Sequence, residues 1–353
     1  MQTVLKTICC GCVATTIGLS PAFAEDDRSP LAFDIGSGVT VTPYGYVKLD
    51  LIRDFDYELG NTTAQIRNIG LPNGPATGTF DRANVRETRI GFDVHGQDIF
   101  ARFEGDFYGS NEALRLRHAF VEWNGFIVGQ NWTNYMSVET LADTVDFQGP
   151  GGYPFARKPQ VRYTFNPSAR WTVSASAEED VANSDDVAFT AAVRYGFDFG
   201  MVRVSGLWRD ATISGNDVEG WGMTFAGLFR PWQGGTIKAG VSIGDGTADI
   251  LNAGLSGPAV FLGGDTVEYN AGAVTVSHQV NDKLKLAITG GWVDLDRAVG
   301  TNTKDLQTVH LSAFYTVYKN TTLMAEYFNG RRKDASGNSF DADRVQFAVK
   351  YAF

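Results

Sequence analysis

Cysteine is missing from almost the whole chain. The three present, Cys9, Cys10 and Cys12, crowd into the N-terminus. The remainder can form no disulfide, no thiolate metal centre and no cysteine nucleophile. Histidine is scarce too: His95, His118, His278 and His310 are scattered, with no pair at metal-ligand spacing. No Gly-x-Ser-x-Gly turn and no phosphate-binding glycine loop occurs. No catalytic residue, metal or cofactor is therefore nominated, and the chain reads as not an enzyme. Past the N-terminus there is no apolar run of about 18 residues, which excludes a transmembrane helix. Basic residues are outnumbered, 30 Lys and Arg against 40 Asp and Glu, a net charge of −10. That balance argues against nucleic acid as a partner.

The N-terminus explains where the cysteines go. Lys6 gives a weakly positive start, an apolar run follows from Ile8 to Leu19, and Ala22-Phe23-Ala24 offers a small-x-small cleavage site before the acidic Glu25-Asp26-Asp27. This is the pattern of a secretory signal peptide over residues 1–24. Cleavage would remove every cysteine and Lys6, leaving the mature chain more acidic still. A short periplasmic N-terminal segment, 25–43, and a barrel domain, 44–353, are expected to follow.

What the sequence has in quantity is glycine, 40 residues, and aromatics, 12%, arranged with a period of two. Val47, Leu49 and Leu51 alternate with Lys48 and Asp50. Ile90, Phe92 and Val94 alternate with Arg89, Gly91 and Asp93. Trp171, Val173 and Ala175 alternate with Thr172 and Ser174, and Val309, Leu311 and Ala313 with His310 and Ser312. Helical periodicity is nearly absent. About sixteen such segments occur, each of roughly the ten residues that a tilted strand needs to cross a bilayer. Their cores fall at 43–56, 85–95, 98–109, 114–124, 126–131, 160–166, 169–178, 187–197, 201–210, 220–230, 235–244, 266–279, 283–293, 306–318, 321–329 and 344–353.

Short connections such as Asn166-Pro167-Ser168 and Lys319-Asn320 alternate with longer Gly- and Asp-rich ones at 57–84, 131–159, 179–186, 211–219, 245–265, 294–305 and 330–343. A meander with short turns on one rim and long loops on the other has that order; a Greek-key sandwich does not. The expected fold is all-β: a sixteen-stranded antiparallel transmembrane β-barrel in the outer membrane, with short periplasmic turns and long extracellular loops. Its surroundings would be the lipid bilayer and lipopolysaccharide. Aromatics near strand ends, among them Tyr44, Tyr46, Trp123, Trp171, Trp208, Trp292 and Tyr351, suit girdles at the two interfaces.

The run Leu114-Arg115-Leu116-Arg117-His118-Ala119-Phe120-Val121-Glu122-Trp123 is followed by Gly129-Gln130-Asn131-Trp132-Thr133-Asn134. Phe147-Gln148-Gly149-Pro150-Gly151-Gly152 and Arg157-Lys158-Pro159-Gln160-Val161-Arg162-Tyr163 come next. With these residues the chain resembles the DcaP-like family of trimeric outer-membrane porins. The resemblance covers about Gly45 to Phe353 and is strongest from Leu114 to Phe165. It implies a homotrimer of sixteen-stranded barrels, a third long loop folded into the lumen, and passage of small anionic solutes such as dicarboxylates. Better-known members carry a coiled-coil segment before the barrel. The residues from Glu25 to Tyr44 contain Pro30 and Gly36 and show no heptads, which puts that extension in doubt. The last strand, with Phe347, Val349, Tyr351 and Phe353 alternating with polar residues, looks like the signal read by the barrel-assembly machinery.

A pore works by geometry and field, with selectivity set by charge at a narrow point. The long segment from Asn131 to Gln160 is the candidate constriction. The strands beside it supply Arg89, Arg102, Arg115, Arg117 and Arg162, and the loop ends on Arg157 and Lys158. A cation facing lipid near the midplane costs about 2–4 kcal/mol, so these side chains are expected in the lumen, as an anion-binding ladder. The competing reading is internal neutralisation, because Glu87, Asp93, Glu104 and Asp106 share the same faces. His118 and Glu122 share parity with Leu114 and Leu116, hence the outward face, unless a bulge shifts the register or a partner subunit covers them. Asp245, Thr247 and Asp249, and the acids from Glu178 to Asp186, suit solvated loops better than calcium. Two function classes follow. One is a porin for passive diffusion of small hydrophilic solutes, preferring anions. The other is a non-transporting barrel acting as a surface-interaction protein or rim enzyme.

Overall fold

The structure, a computed structural model, describes residues 31–353. The expected signal peptide lies outside the described residues. Sixteen antiparallel strands form the wall: β1 (Val39–Phe55), β2 in two pieces (Phe80–Asn84 and Arg89–His95), β3 (Ile99–Asp106), β4 (Arg115–Trp123), β5 (Phe126–Trp132), β6 (Arg157–Phe165), β7 (Trp171–Glu179) and β8 (Val187–Phe197). They continue as β9 (Gly200–Ile213), β10 (Asn216–Phe229), β11 (Gly235–Asp245), β12 (Glu268–Gln279), β13 (Leu284–Leu295), β14 (Thr303–Tyr318), β15 (Thr321–Asp334) and β16 (Ser339–Ala352). Each pairs with its neighbours in sequence, and β16 pairs with β1. A short strand, Phe33–Gly36, folds back on the start of β1, so regular structure begins before the expected boundary at residue 44.

The burial pattern inverts that of a water-soluble protein. On β1, Lys48, Asp50 and Asp54 are at most 2% exposed, whereas Val47, Leu49 and Leu51 are 39–50% exposed. The same inversion runs round the wall, with Phe92, Phe103, Val161, Val202, Phe225, Val274, Ile288, Leu311 and Phe347 outward. Apolar side chains on the outside are at rest only in lipid. Lipid offers no partner to a backbone amide, so the sheet must close on itself. The seam runs from Tyr46↔Ala352 to Phe55↔Asp343. It is finished by two backbone hydrogen bonds between Gly45 and Phe353, at 3.0 and 3.1 Å. Lys350 stands directly opposite Lys48 across it.

Turn chemistry sets the connections. Asn124-Gly125 and Ser214-Gly215 both carry positive φ at two successive residues, the geometry of a two-residue hairpin turn matched to strand twist. The second corrects the expected loop at 211–219: β9 and β10 run on to Ile213 and Asn216. Likewise β15 and β16 cover most of 330–343. Their outward residues there, Arg331, Lys333 and Asp341, are polar because the strands have left the lipid, so the apolar alternation fades while the ladder persists.

The longer connections are L1 (56–79), L3 (133–156) and L6 (246–267). L1 and L6 turn inward. Leu59, Ile66 and Ile69 of L1 pack with Leu251, Ala253 and Leu255 of L6 against Tyr269, Val293, Leu306 and Phe328 of the wall. Three fully buried arginines staple loops to strands. Arg209 donates to the Gly246 carbonyl and contacts Asp180 and Asp249. Arg332 donates to the Ile69 and Thr301 carbonyls. Arg344 forks onto Asp54, at 2.6 and 3.0 Å, and reaches Asp146 and the Gly60 carbonyl.

Candidate pore constriction

L3 leaves β5 and crosses the lumen. It is fastened first to the wall nearby, where Ser205 donates to the Tyr135 carbonyl (2.6 Å) and Arg203 to the Asn134 carbonyl (2.6 Å). Its three carboxylates then each find a wall cation. Glu139 pairs with Arg194 of β8 (2.6 Å), Asp143 with Lys238 of β11 and Lys285 of β13 (3.0 and 3.1 Å), and Asp146 with Arg344 of β16 (3.2 Å). Burial disfavours the charged Asp143, but the two lysines outweigh it and hold the carboxyl below its ordinary range. The glycine run lets L3 lie flat on the wall. Gly152 has φ +98, and a Cβ there would collide with the carbonyls of Trp292 and Gly272. A Cβ at Gly291 of the wall would likewise collide with the Gly151 carbonyl, so loop and wall approach backbone to backbone.

The expected ladder residues divide into two groups. Most are paired. Arg102 forks onto Asp93, both contacts 2.7 Å, and Arg115 forks onto Asp106 at 2.9 and 2.6 Å. Arg117 bridges Glu104 (2.6 Å) and Asp106 (3.0 Å), Arg89 stands 3.5 Å from Glu104, and Lys158 reaches Glu179 at 2.9 Å. Phe147 of L3 lies over the Arg115 and Arg117 guanidiniums and stacks on Tyr108, which roofs these pairs over. Internal neutralisation thus describes this part of the wall. Arg157 and Arg162 differ: among the described residues neither has a carboxylate within 4.0 Å. Arg157 stacks on Trp132, 4.5 Å from the ring centre.

Sequence reasoning missed the cations on the far side. Arg203 and Lys350 also lack a carboxylate within 4.0 Å among the described residues. Both face the lumen, since their strand neighbours Val202, Val204, Val349 and Tyr351 are outward. Arg194 stands directly opposite Arg203 on the adjacent strand. The alternation marks these positions as inward too, on strands that do not flank the loop. The lumen carboxylates with no Lys or Arg within 4.0 Å among the described residues include Glu122, Glu178 and Glu326; the last two are buried and accept backbone N–H groups of L3.

His118 is resolved by a bulge. The register runs Glu104↔His118 and then Gly105↔Leu116, leaving Arg117 as the extra residue. Arg117 and His118 therefore both point inward, buried, and beyond them Phe120 turns in while Val121 and Trp123 turn out. Glu122 follows the same parity toward the lumen, opposite Ile127. Leu114 and Leu116 stay on the lipid side. Two of the candidate calcium acids are engaged elsewhere, Asp249 with Arg209 and Asp186 with the Thr212 amide. Among the described residues no group of three metal-ligating side chains converges. Phe347, Val349, Tyr351 and Phe353 form one outward column on β16, 40–57% exposed.

Comparison with known proteins agrees with this geometry. A family model described as DcaP outer membrane protein matches residues 17–211. No curated protein matches the sequence. Among solved structures, the outer membrane channel DcaP of Acinetobacter baumannii is 25% identical over 91% of this chain and 99% of its own, with a TM-score of 0.79. OmpT of Vibrio cholerae is 17% identical over 90% and 99%, with a TM-score of 0.61. An anion-selective porin from Comamonas acidovorans is 12% identical over 89% and 100%, with a TM-score of 0.62. The last two speak to the fold alone.

Proposed function

The chain belongs to the DcaP outer membrane protein family, and on that premise we propose that it passes small hydrophilic solutes by diffusion, preferring small anions such as dicarboxylates. One observation carries the preference. The loop carboxylates Glu139, Asp143 and Asp146 are all paired with wall cations, while Arg157, Arg162, Arg203 and Lys350 have no carboxylate within 4.0 Å among the described residues. These four cations face the lumen without a carboxylate beside them, although the whole chain is acidic. Guanidiniums also offer the planar fork that fits a carboxylate. The porin from Comamonas acidovorans with this fold is anion-selective. The test is the zero-current potential of the purified protein in a planar bilayer under a KCl gradient. An anion-preferring sign is expected, and a cation-preferring sign overturns the reading.

Assembly as a homotrimer belongs to the same proposal. β3, β4 and β5 have only 8, 9 and 7 residues. At about 3.3 Å per residue and a tilt of about 40°, seven residues rise roughly 18 Å, short of an apolar band of about 25 Å. Beside them β2 breaks between Asn84 and Arg89, and Arg86 pairs with the exposed Glu112 at 3.3 Å. The break lies opposite β1 residues 46–50, where the flanking outward side chains are apolar. A charged pair at that level calls for cover by another copy. Native mass spectrometry in mild detergent should report a trimer. Recognition of the Phe347–Phe353 column by the assembly machinery, and contact of the outer rim with lipopolysaccharide, complete the proposal.

The second reading, a barrel that does not conduct, is favoured by one feature: L1 and L6 pack an apolar cluster into the mouth beside β12–β16. Stable open steps in the bilayer exclude it; their absence at any voltage supports it.

A further inference from the structure

L3 is gripped at its far reach by a single wall carboxylate. Glu326, on β15, lies across the barrel from β5 and β6, which carry the loop. Its Oε2 accepts from the Val145 N–H and the Ser312 hydroxyl, both at 2.6 Å. Its Oε1 accepts from the Asp146 N–H at 3.1 Å and lies 3.0 Å from His310 Nδ1. Four donors thus fill a carboxylate that has about four acceptor sites. Two of them are consecutive backbone amides of the loop, and two come from the adjacent strand β14 and orient the carboxylate. The cross-strand neighbour on the other side, Gln346, turns its amide to Asp50 instead (2.8 Å).

The surroundings complete the grip. Lys48 donates to the Val145 carbonyl at 2.7 Å, Thr63 and Arg344 hold the Asp146 side chain, and Val145 packs on Met324 and Ala348. The other tethers of the mid-loop, Glu139–Arg194 and Asp143–Lys238, join partly exposed side chains that can swing with the loop. At Glu326 the wall holds the main chain itself.

We propose that Glu326, oriented by His310 and Ser312, is the positioning residue that pins L3 against the wall and so fixes the open width of the pore. The proposal rests on the channel reading but not on the sign of selectivity. Glu326→Gln keeps the size of the side chain, removes one acceptor and turns an amide N–H toward a loop N–H. In planar bilayers the wild type should carry steady current. E326Q should flicker between sub-levels at least several-fold more often and close at lower voltage, with barrel circular dichroism and heat-modifiable mobility unchanged. Should E326Q fail to assemble, Ser312→Ala, which removes one orienting donor, should show the same flicker more weakly.

A crosslink separates positioning from a general effect on the wall. The chain beyond Cys12 has no cysteine, so Val145→Cys with Ala348→Cys supplies a lone pair at side chains that pack together. The disulfide should form several-fold more slowly beside E326Q than beside Glu326. Once formed it should restore steady current, and reductant should abolish the rescue. Equal crosslinking rates in the two backgrounds overturn the proposal, as does an E326Q or S312A channel as quiet as the wild type. The crosslinking rate needs no current, so it reads the loop's position even if the wild type never conducts, an outcome that would count against the channel reading alone.

Discussion

Arg344 and Arg203 both face the lumen from long strands, yet they meet different surroundings. Arg344 has Asp54, Asp146 and a carbonyl, and is fully buried. Arg203 has only the oxygens of Asn134 and stands opposite Arg194. The first should matter for stability and the second for what passes. Removing one member of a buried ion pair leaves the other uncompensated, at a cost of about 3–5 kcal/mol. Arg344→Leu should therefore lower stability by that order, read from denaturant unfolding of the folded barrel followed by tryptophan fluorescence. A loss below about 1 kcal/mol would place its worth on the scale of a surface pair. Arg157→Gln with Arg203→Gln should cost much less stability than Arg344→Leu and move the zero-current potential toward zero. Parity in the sequence is enough to say that these arginines face inward. Their partners are not readable there, because a partner is set by the register of the next strand. The one-residue bulge at Arg117 shows how a local shift reverses the parity of His118 and all that follows on β4.

At the scale of elements, the strands and the inward turn of the third long loop are legible, and the inward turn of L1 and L6 is not. A period of two is a local signal, and it marks β8 and β11 almost to the residue. It fails where the environment changes but the ladder does not: at the rim, where β9, β10, β15 and β16 continue into water with polar outward faces, and at β2, whose first piece, Phe80–Asn84, lies in the expected loop 57–84. Leu59, Ile66 and Ile69 sit in L1 without any period, so nothing local says that they bury. L3 is the element that decides width. A Cβ at Gly152 must push the loop off the carbonyls of Trp292 and Gly272. Gly152→Ala should therefore cost about 1–3 kcal/mol by overpacking and change single-channel conductance, where an alanine at the open Gly215 turn tip should leave it alone. Acid should loosen the same loop. The two lysines hold Asp143 below its ordinary value of 3.8, so its tether is fully present above about pH 4 and is lost as pH falls through the depressed value. Conductance noise should rise in that acid window, and Asp143→Asn should show the noise already at neutral pH. Noise that is the same for both proteins at every pH would remove Asp143 from the account.

For the whole molecule, closure follows from composition once lipid is the solvent. Sixteen amphipathic strands, with no membrane-spanning helix among the described residues, leave a closed barrel as the arrangement without exposed edges, and the pairing of β16 with β1 is its consequence. The sign of the pore does not follow from composition. The chain carries −10 overall, while the cations along the path without a carboxylate within 4.0 Å among the described residues include Arg157, Arg162, Arg203 and Lys350. The two charges act at different ranges. Screening lengths are about 10 Å in 0.1 M salt and about 3 Å in 1 M. A solute passing the constriction in dilute salt feels guanidiniums several ångströms away. In concentrated salt it feels only those it touches. If the preference arises from this field, the anion-to-cation permeability ratio, measured at one fixed gradient ratio, should fall steadily as the absolute KCl concentration is raised from 0.1 to 1 M. The double variant Arg157→Gln, Arg203→Gln should begin closer to unity and change less. A wild-type ratio that does not move with salt would assign selectivity to contact or size at the constriction, and the lumen cations would then be read as part of the wall.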